Sequence, residues 1–317
     1  MIRLDAVTKR WPSGHVAVHE LTLDVPDGEV CVLLGPSGCG KTTTMKMINR
    51  LVEPTSGRIE IDGVDVQTID AVELRRGIGY VIQQVGLFPH QTVAANVGTV
   101  PRLLRWDRPR IAARVEELLA LVGLDPATFR DRYPHQLSGG QRQRVGVARA
   151  LGADPPVLLM DEPFGAIDPV TRGRLQDEFL SLQATLHKTV VFVTHDIDEA
   201  VKLGDRIAVL AEGGVLAQLA TPAELLASPA SAFVADFVGS ERGLRRLRVL
   251  PIARDDLVAA DGYDVAGLRR VAHDASMEDA LAALLLDDAP AVAVVDGDVV
   301  LGVLTPDAVH AAARRRS

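Results

Sequence analysis

Three things are scarce in this chain, and each scarcity removes a class of protein. Cysteine occurs only twice, at Cys31 and Cys39, too few for a disulfide framework or a cysteine zinc cluster. Long apolar runs are missing: stretches such as ALAALLL at 280–286 fall far short of the roughly 18 residues that a membrane-spanning helix needs. Positive charge is in deficit, with 34 Lys and Arg against 42 Asp and Glu and a net charge of -8. That balance argues against general nucleic-acid binding, where a basic face supplies most of the affinity. The opening MIRLDAVTKRW has no apolar core of the secretory type, so the expected compartment is the cytosol. Otherwise the composition is ordinary, 47% hydrophobic and 24% charged. At 317 residues there is room for one large domain and a smaller one, or for two of ordinary size.

What is present is a glycine-rich loop of definite pattern. Residues 35–43 read GPSGCGKTT, in which Gly35, Gly40, Lys41 and Thr42 satisfy the GxxxxGK[ST] form of a phosphate-binding loop. The run VCVLL at 30–34 predicts a buried strand before it, and TTTMKMINRL at 42–51 a helix after it. A loop so placed aims backbone N–H groups and a helix N-terminus at one point, which is how a protein holds a polyphosphate. Gly35, Gly38 and Gly40 let the backbone come close where a Cβ would collide. Lys41 is placed to meet phosphate charge, and the Thr42 hydroxyl to sit on Mg²⁺. The bland alternative is a glycine-rich turn.

Other segments offer partners for such a loop. Residues 2–34 alternate as short strands, with Trp11 in a turn between the first two, where an aromatic serves core packing or stacks on a purine. A hairpin is expected around Asp62-Gly63, and a strand over 77–84 ending in Gln83 and Gln84. From about 92 to 135 apolar positions three and four apart predict helices. LSGGQRQRVGVARALGADP at 137–155 predicts a helix capped by Ser138, either a second anion site or a solvated basic helix. PVLLMDEP at 156–163 predicts a buried strand with Asp161 and Glu162 at its C-terminal end, where open parallel sheets bind ligands. There Asp161 can hold Mg²⁺ through its water shell and Glu162 can polarise an attacking water, unless the two only form a solvated strand end. TVVFVTHD at 189–196 repeats the arrangement and leaves His195 either structural or placed to sense a terminal phosphate. A last hairpin turns at Gly213-Gly214, and a helix starts from Thr221 and Pro222.

Together these segments resemble the ATP-binding subunit of ABC transporters over about residues 1–240. GPSGCGKT resembles Walker A, VLLMDE resembles Walker B, and LSGGQ at 137–141 resembles the family signature. Gln83, set in register by GLFPH, matches the Q-loop, Asp168 in GAID the D-loop and His195 the H-switch. The D-loop begins with Gly165 where many relatives have Ser. The resemblance implies an α/β fold: a P-loop ATPase core on a mostly parallel sheet, with an antiparallel β subdomain and a helical subdomain over about 92–155. It implies ATP and Mg²⁺, with ATP contacted by Trp11, Val16, Gly35, Pro36, Ser37, Gly38, Cys39, Gly40, Lys41, Thr42 and Thr43. Thr42, Gln83 and Asp161 would serve the metal, and Glu162, His195 and Gln83 the chemistry. A head-to-tail dimer is also implied, in which Ser138, Gly140, Gln141 and Asp168 of one subunit act in trans on the ATP of the other.

The stretch YVIQQVGLFPHQTVAANVGTVPRLLRW at 80–106 resembles more narrowly the importer subunits for osmoprotectants such as glycine betaine, carnitine or choline. That implies transmembrane permease subunits as partners, a substrate-binding protein met only through them, no nucleic acid, and a peripheral place on the cytoplasmic face of the membrane. Three other classes stay open: an importer subunit for another amino-acid-like cargo, a soluble ABC-type ATPase acting on DNA or ribosomes, and a nucleotide-binding regulator without turnover. The interval 41–137 has no room for the long coiled coils of repair and chromosome ATPases, and the chain carries one cassette where translation-type relatives usually carry two.

Residues 241–317 are expected to form a separate unit. A basic linker or solvated helix at 241–249 leads to a helix over 277–286, two strands over 289–305 joined at Asp296-Gly297-Asp298, and a further helix. This order resembles a single CBS motif, a small α+β unit, and implies regulation or dimerisation. Thr305 is followed by Pro306 and Asp307, one residue closer than the usual Thr-x-x-Asp ribose contact, so a structural role stands beside nucleotide sensing. The run 314–316 reads as a disordered basic tail.

Overall fold

The first three strands form for two different reasons. In β1 (Ile2–Arg10) and β2 (Val16–Val25) buried and exposed positions largely alternate, whereas β3 (Val30–Leu34) is buried at every position. Alternation suits an antiparallel sheet with one wet face, and a continuous apolar run suits a parallel sheet covered on both. The computed structural model, which describes residues 1–83, 86–165, 167–239 and 241–314, realises both. After the glycine-rich loop come α1 (Lys41–Ile48), β4 (Ser56–Ile61) and β5 (Val64–Asp65), the last two joined at Asp62 and Gly63 with φ of 51° and 77°. α2 (Ala71–Arg76) and β6 (Ile78–Val81) follow. The strand expected over 77–84 thus stops at Val81 and leaves Gln83 on the loop beyond, while Gln84 lies outside the described residues.

Five helices come next, as the 3.6-residue period requires: α3 (Val93–Val97), α4 (Thr99–Leu103), α5 (Arg108–Leu121), α6 (Pro126–Phe129) and α7 (Gly139–Ala150). The chain then alternates through β7 (Val157–Asp161), α8 (Pro169–Leu186), β8 (Thr189–Thr194), α9 (Ile197–Leu203), β9 (Arg206–Ala211) and β10 (Val215–Ala220). β2, β1, β4 and β5 lie in that order in a four-stranded sheet whose described pairings are antiparallel. The larger sheet has the order β10-β9-β3-β8-β7-β6, and its strands from β9 to β6 run parallel.

Register decides where the loops emerge. Leu34 of β3 stands opposite Thr194 of β8, and Asp161 of β7 opposite Val193. The segments beginning at Gly35, Glu162 and His195 therefore leave the sheet side by side at one edge, the carboxyl ends of adjacent strands where open α/β sheets bind ligands. One face of this sheet, with Cys31, Leu33, Leu159, Val191 and Val193, packs against Met45, Met47 and Ile48 of α1 and against the antiparallel sheet. Burial pushes the Cys31 thiol up to about 12, the state of an inert core cysteine. Phe192 meets Phe164 and Phe179 at ring-centroid distances of 5.9 and 6.2 Å.

The chain divides into two compact units, Met1–Leu219 and Ala220–Ser317. The second contains α10 (Pro222–Ala227), α11 (Ala232–Val238), α12 (Arg242–Val249), β11 (Arg270–Ala272), α13 (Met277–Asp287), β12 (Val292–Asp296), β13 (Val299–Leu304) and α14 (Pro306–Arg314). Its strands are ordered β11-β12-β13, and Leu247, Met277, Val292, Val294, Leu304 and Val309 form its core. α10 and α11 stand on the ATPase side of the boundary expected at 240, yet group with this unit. The basic stretch 241–249, expected as a linker or solvated helix, is a helix partly built into the core: Leu247 and Arg246 are buried, and Arg246 Nη1 donates to the Ala313 carbonyl at 2.9 Å. Thr305 Oγ1 accepts the Ala308 N–H at 3.3 Å at the start of α14. Of the tail expected to be disordered over 314–316, Arg314 instead ends α14, and residues 315 and 316 lie outside the described residues.

Candidate nucleotide site

The glycine-rich loop is shaped by residues that have no side chain to lose. Gly35, Gly38 and Gly40 have φ of 155°, 82° and 107°. A Cβ on Gly35 would stand 2.3 Å from the Leu210 carbonyl oxygen, and one on Gly40 2.2 Å from that of Ala17. The loop is thus clamped between β9 and β2, and only glycine fits at either contact. Pro36, Ser37 and Gly38 form its outer, more exposed part and Cys39 is buried. Lys41, only 6% exposed, curls back so that Nζ donates to the Gly35 and Pro36 carbonyls at 2.7 and 2.9 Å. The loop gathers one fixed positive charge at its centre. Thr42 and Thr43 follow Lys41 in the first turn of α1.

Two carboxylates stand at the adjacent strand end. Thr42 Oγ1 donates to Asp161 Oδ1 at 3.0 Å, joining the start of α1 to the end of β7. Burial raises the Asp161 pKa, against the lowering effect of the Thr42 hydrogen bond. Burial of Tyr80 itself, aided by the nearby Asp161 charge, pushes its phenol up to about 12. Glu162 has a φ of 45°, a left-handed conformation that costs a non-glycine residue about 1–2 kcal/mol. Its N–H is held by the Val193 carbonyl at 3.0 Å. Gln83 Nε2 donates to Glu162 Oε2 at 2.8 Å, and His195 Nδ1 lies 3.2 Å from Oε1. Backbone strain of this kind gathers where function constrains the chain.

Trp11 and Val16 lie at the β1–β2 turn. Trp11 is 36% exposed, with Lys9 Nζ 4.8 Å from its ring centroid, and Val16 precedes the Ala17 carbonyl that abuts Gly40. A second cluster forms elsewhere. Ser138 caps α7 in a capping box, its Oγ accepting the Gln141 N–H at 3.2 Å while Gln141 Oε1 accepts the Ser138 N–H at 2.9 Å. Asp168 caps α8 through the Thr171 N–H at 3.0 Å, and this bond holds its carboxyl below the usual range. A Cβ on Gly140 would stand 3.2 Å from Thr171 Cγ2, so the two capped helix starts lie alongside. The structure thus joins Gln83, Asp161, Glu162, His195 and the 35–43 loop in one group, and Ser138, Gly140, Gln141 and Asp168 in another.

A model of the ABC transporter family matches residues 18–165. Over 254 residues the chain is 52% identical to the glycine betaine uptake system ATP-binding protein of Escherichia coli (strain K12), an alignment covering 80% of this chain and 82% of that protein. The chain belongs to the ABC transporter ATP-binding family. It is also 58% identical over 242 residues to the glycine betaine/carnitine/choline transport ATP-binding protein of Bacillus subtilis (strain 168), covering 76% of this chain. The chain spans 63% of the length of that relative. Among solved structures, a dimeric ATP-binding cassette in a post-hydrolysis state bound to ADP and Pi matches with a TM-score of 0.62 and 36% identity, covering 70% of this chain and 99% of that one.

The donor set of this ABC ATPase fold suits a hard divalent cation: a hydroxyl and a carboxylate already face each other at 3.0 Å, with the Gln83 amide on the neighbouring carboxylate. A third group, Arg172, Gln176 and Glu199, reaches the turn that carries His195 and is not apparent in the sequence. Its only sequence signal is a carboxylate three residues after Asp196, on what proves to be a helix capped by that residue.

Proposed function

We propose that this protein is the ATP-hydrolysing subunit of an importer for quaternary-amine osmoprotectants such as glycine betaine, carnitine or choline. One observation carries the ATPase reading: the Glu162 carboxylate, on a strained backbone, is held between Gln83 and His195 one residue beyond the Asp161–Thr42 pair. The 35–43 loop binds the phosphates of ATP through backbone N–H groups and Lys41, and Trp11 and Val16 border the base. Glu162 accepts a proton from, and orients, the attacking water; Gln83 and His195 fix its two oxygens and leave its lone pairs aimed. Thr42, Asp161 and Gln83 would hold Mg²⁺, which would supply positive charge against the phosphate oxygens.

Ser138, Gly140, Gln141 and Asp168 act in trans, completing the site of a second copy in a head-to-tail dimer. A helix start capped by Ser138 presents an N-terminal end of the kind that binds anions, and pairing with a partner's loop would give it the phosphates of that copy's ATP. Closure between the copies excludes water and concentrates fixed donors on the γ-phosphate. Residues 1–240 act as the ATPase domain, and residues 241–317 as a CBS-like regulatory or dimerisation segment. The subunit sits peripherally on the cytoplasmic face of the membrane against permease subunits, meets the substrate-binding protein only through them, and binds no nucleic acid. The cargo assignment draws on the names of the relatives and on the 80–106 stretch.

The test is turnover by the full chain with its permease. Glu162→Gln should bind ATP with unchanged affinity and lose about 10²–10⁴-fold in kcat, the contribution of a positioned general base. Cells lacking other osmoprotectant uptake should regain labelled glycine betaine import when the wild-type chain and its permease are supplied. Turnover untouched by Glu162→Gln would refute the role given to Glu162, a wild-type chain that turns over no ATP would refute the ATPase assignment, and uptake of no quaternary amine would refute the cargo.

A further inference from the structure

The His195 side chain is 57% exposed, and its contact with Glu162 defines where the ring points. An imidazole so exposed is aimed by the backbone beneath it rather than by packing around it. That backbone is the turn 194–196, and it is gripped from two sides. Thr194 Oγ1 accepts the Asp196 N–H at 3.0 Å and is hydrogen-bonded to the Glu199 carboxylate. Asp196 Oδ1 accepts the N–H groups of Asp198 and Glu199 at 2.8 and 3.2 Å, which caps α9.

The second grip comes from α8. Glu199 is 6% exposed, and its Oε1 accepts Nε2 of Gln176, itself 7% exposed, at 3.1 Å. About one turn earlier on α8, Arg172 Nη1 lies 3.7 Å from Asp196 Oδ2, while Nη2 donates to the Ile167 carbonyl at 3.1 Å. Ile167 immediately precedes Asp168, the cap of α8. One guanidinium therefore bridges the residue before the α8 cap and the residue after His195. Glu162, Arg172, His195 and Glu199 line the same small cavity of about 30 Å³.

We infer that Glu199 and Arg172 are positioning residues for His195, fixing its turn to α8 so that displacement of the 167–168 segment moves the imidazole relative to Glu162. The inference rests on the ATPase reading above and deepens it. Asp168 is the group that would touch the partner's site, and His195 the group that faces the chain's own. The link is short, and its Gln176–Glu199 half is buried: Arg172 and Gln176 sit four residues apart on one helix face, and their partners on the other side are the cap and first turn of α9.

The experiment uses the full chain with its permease. Glu199→Gln preserves volume, and Arg172→Met alters a partly exposed side chain, so both variants should remain folded at the assay temperature, which calorimetry checks. Each should lower kcat about tenfold, about 1.4 kcal/mol in the barrier, with KM for ATP held within about twofold. Arg172→Lys, which keeps the charge, should recover part of the rate. In a His195→Ala background the same substitutions should add less than about twofold, because groups acting through one residue are not additive. Wild-type rates in both variants, or full additivity with His195→Ala, would overturn the inference while leaving the ATPase reading in place. A wild-type chain that turns over no ATP would overturn both.

Discussion

The clamp on the glycine-rich loop makes a paired prediction that separates two costs. Gly38 and Gly40 both have positive φ, 82° and 107°, so alanine at either meets the backbone penalty of about 1–2 kcal/mol for an L-residue in that region. Only Gly40 has a neighbour in the way. Its Cβ would lie 2.2 Å from the Ala17 carbonyl oxygen and 3.2 Å from Val18 Cγ2, whereas a Cβ on Gly38 meets nothing within 4 Å. Ala17 and Val18 belong to a paired strand whose backbone gives way reluctantly, and overpacking of this kind adds about 1–3 kcal/mol. Gly40→Ala should therefore cost about 3.5 kcal/mol and Gly38→Ala about 1.5 kcal/mol. At about 3 °C per kcal/mol for a unit of this size, the melting temperature should fall by about 10 °C and about 4 °C. Differential scanning calorimetry of the two variants in the same buffer reads the difference directly. Equal losses, or a larger loss at Gly38, would refute the claim that contact with β2 rather than torsion alone demands glycine at 40.

Further predictions follow from the capped helices and the buried acids. Ser138→Ala should cost about 1 kcal/mol of stability through loss of the α7 cap, read as a shift in denaturant midpoint. Mixing inactive Ser138→Ala with inactive Glu162→Gln chains should restore part of the turnover, since each mixed dimer holds one site with both intact halves; no recovery on mixing would rule out action in trans. Glu199 has its pKa raised by burial, so the folded chain binds that proton more tightly than the unfolded one. Its contribution to stability is consequently greatest below the ordinary carboxylate range and declines as pH rises through the raised value. Glu199→Gln should remove that decline, giving a urea midpoint at pH 7 at or above wild type and a flatter profile between about pH 4 and 7. A variant less stable than wild type at pH 7 would contradict the sign.

Much of the site is legible in the sequence because its chemistry is local. GPSGCGKTT carries its strand, its turn glycines and its helix start within a dozen residues, and the structure places them as the pattern requires. VLLMDE and TVVFVTHD were legible for the same reason: a continuous apolar run admits only a covered strand, and the polar residues that end it must emerge at the sheet edge. Period also wrote the helices from 93 onward, and Ser138 and Thr221 announced their caps. Boundaries were less legible. The strand before Gln83 ends two residues short of it at Val81, and α10 and α11 group with the second unit because their packing partners lie there, which no local signal encodes.

What the sequence alone determined, then, is the set of reactive residues and the elements that bear them, because those depend on neighbours in the chain. What only the tertiary structure decided is which of them meet. Parallel register brought Asp161 and His195, 34 positions apart, to one edge, and put Gln83 within 2.8 Å of Glu162 across 79 residues. It also set Arg172 and Gln176 against the turn beneath His195, an arrangement that no single stretch of the sequence encodes. Contacts between distant segments are fixed by how strands order and stack, and that ordering is a property of the whole buried core rather than of any stretch within it.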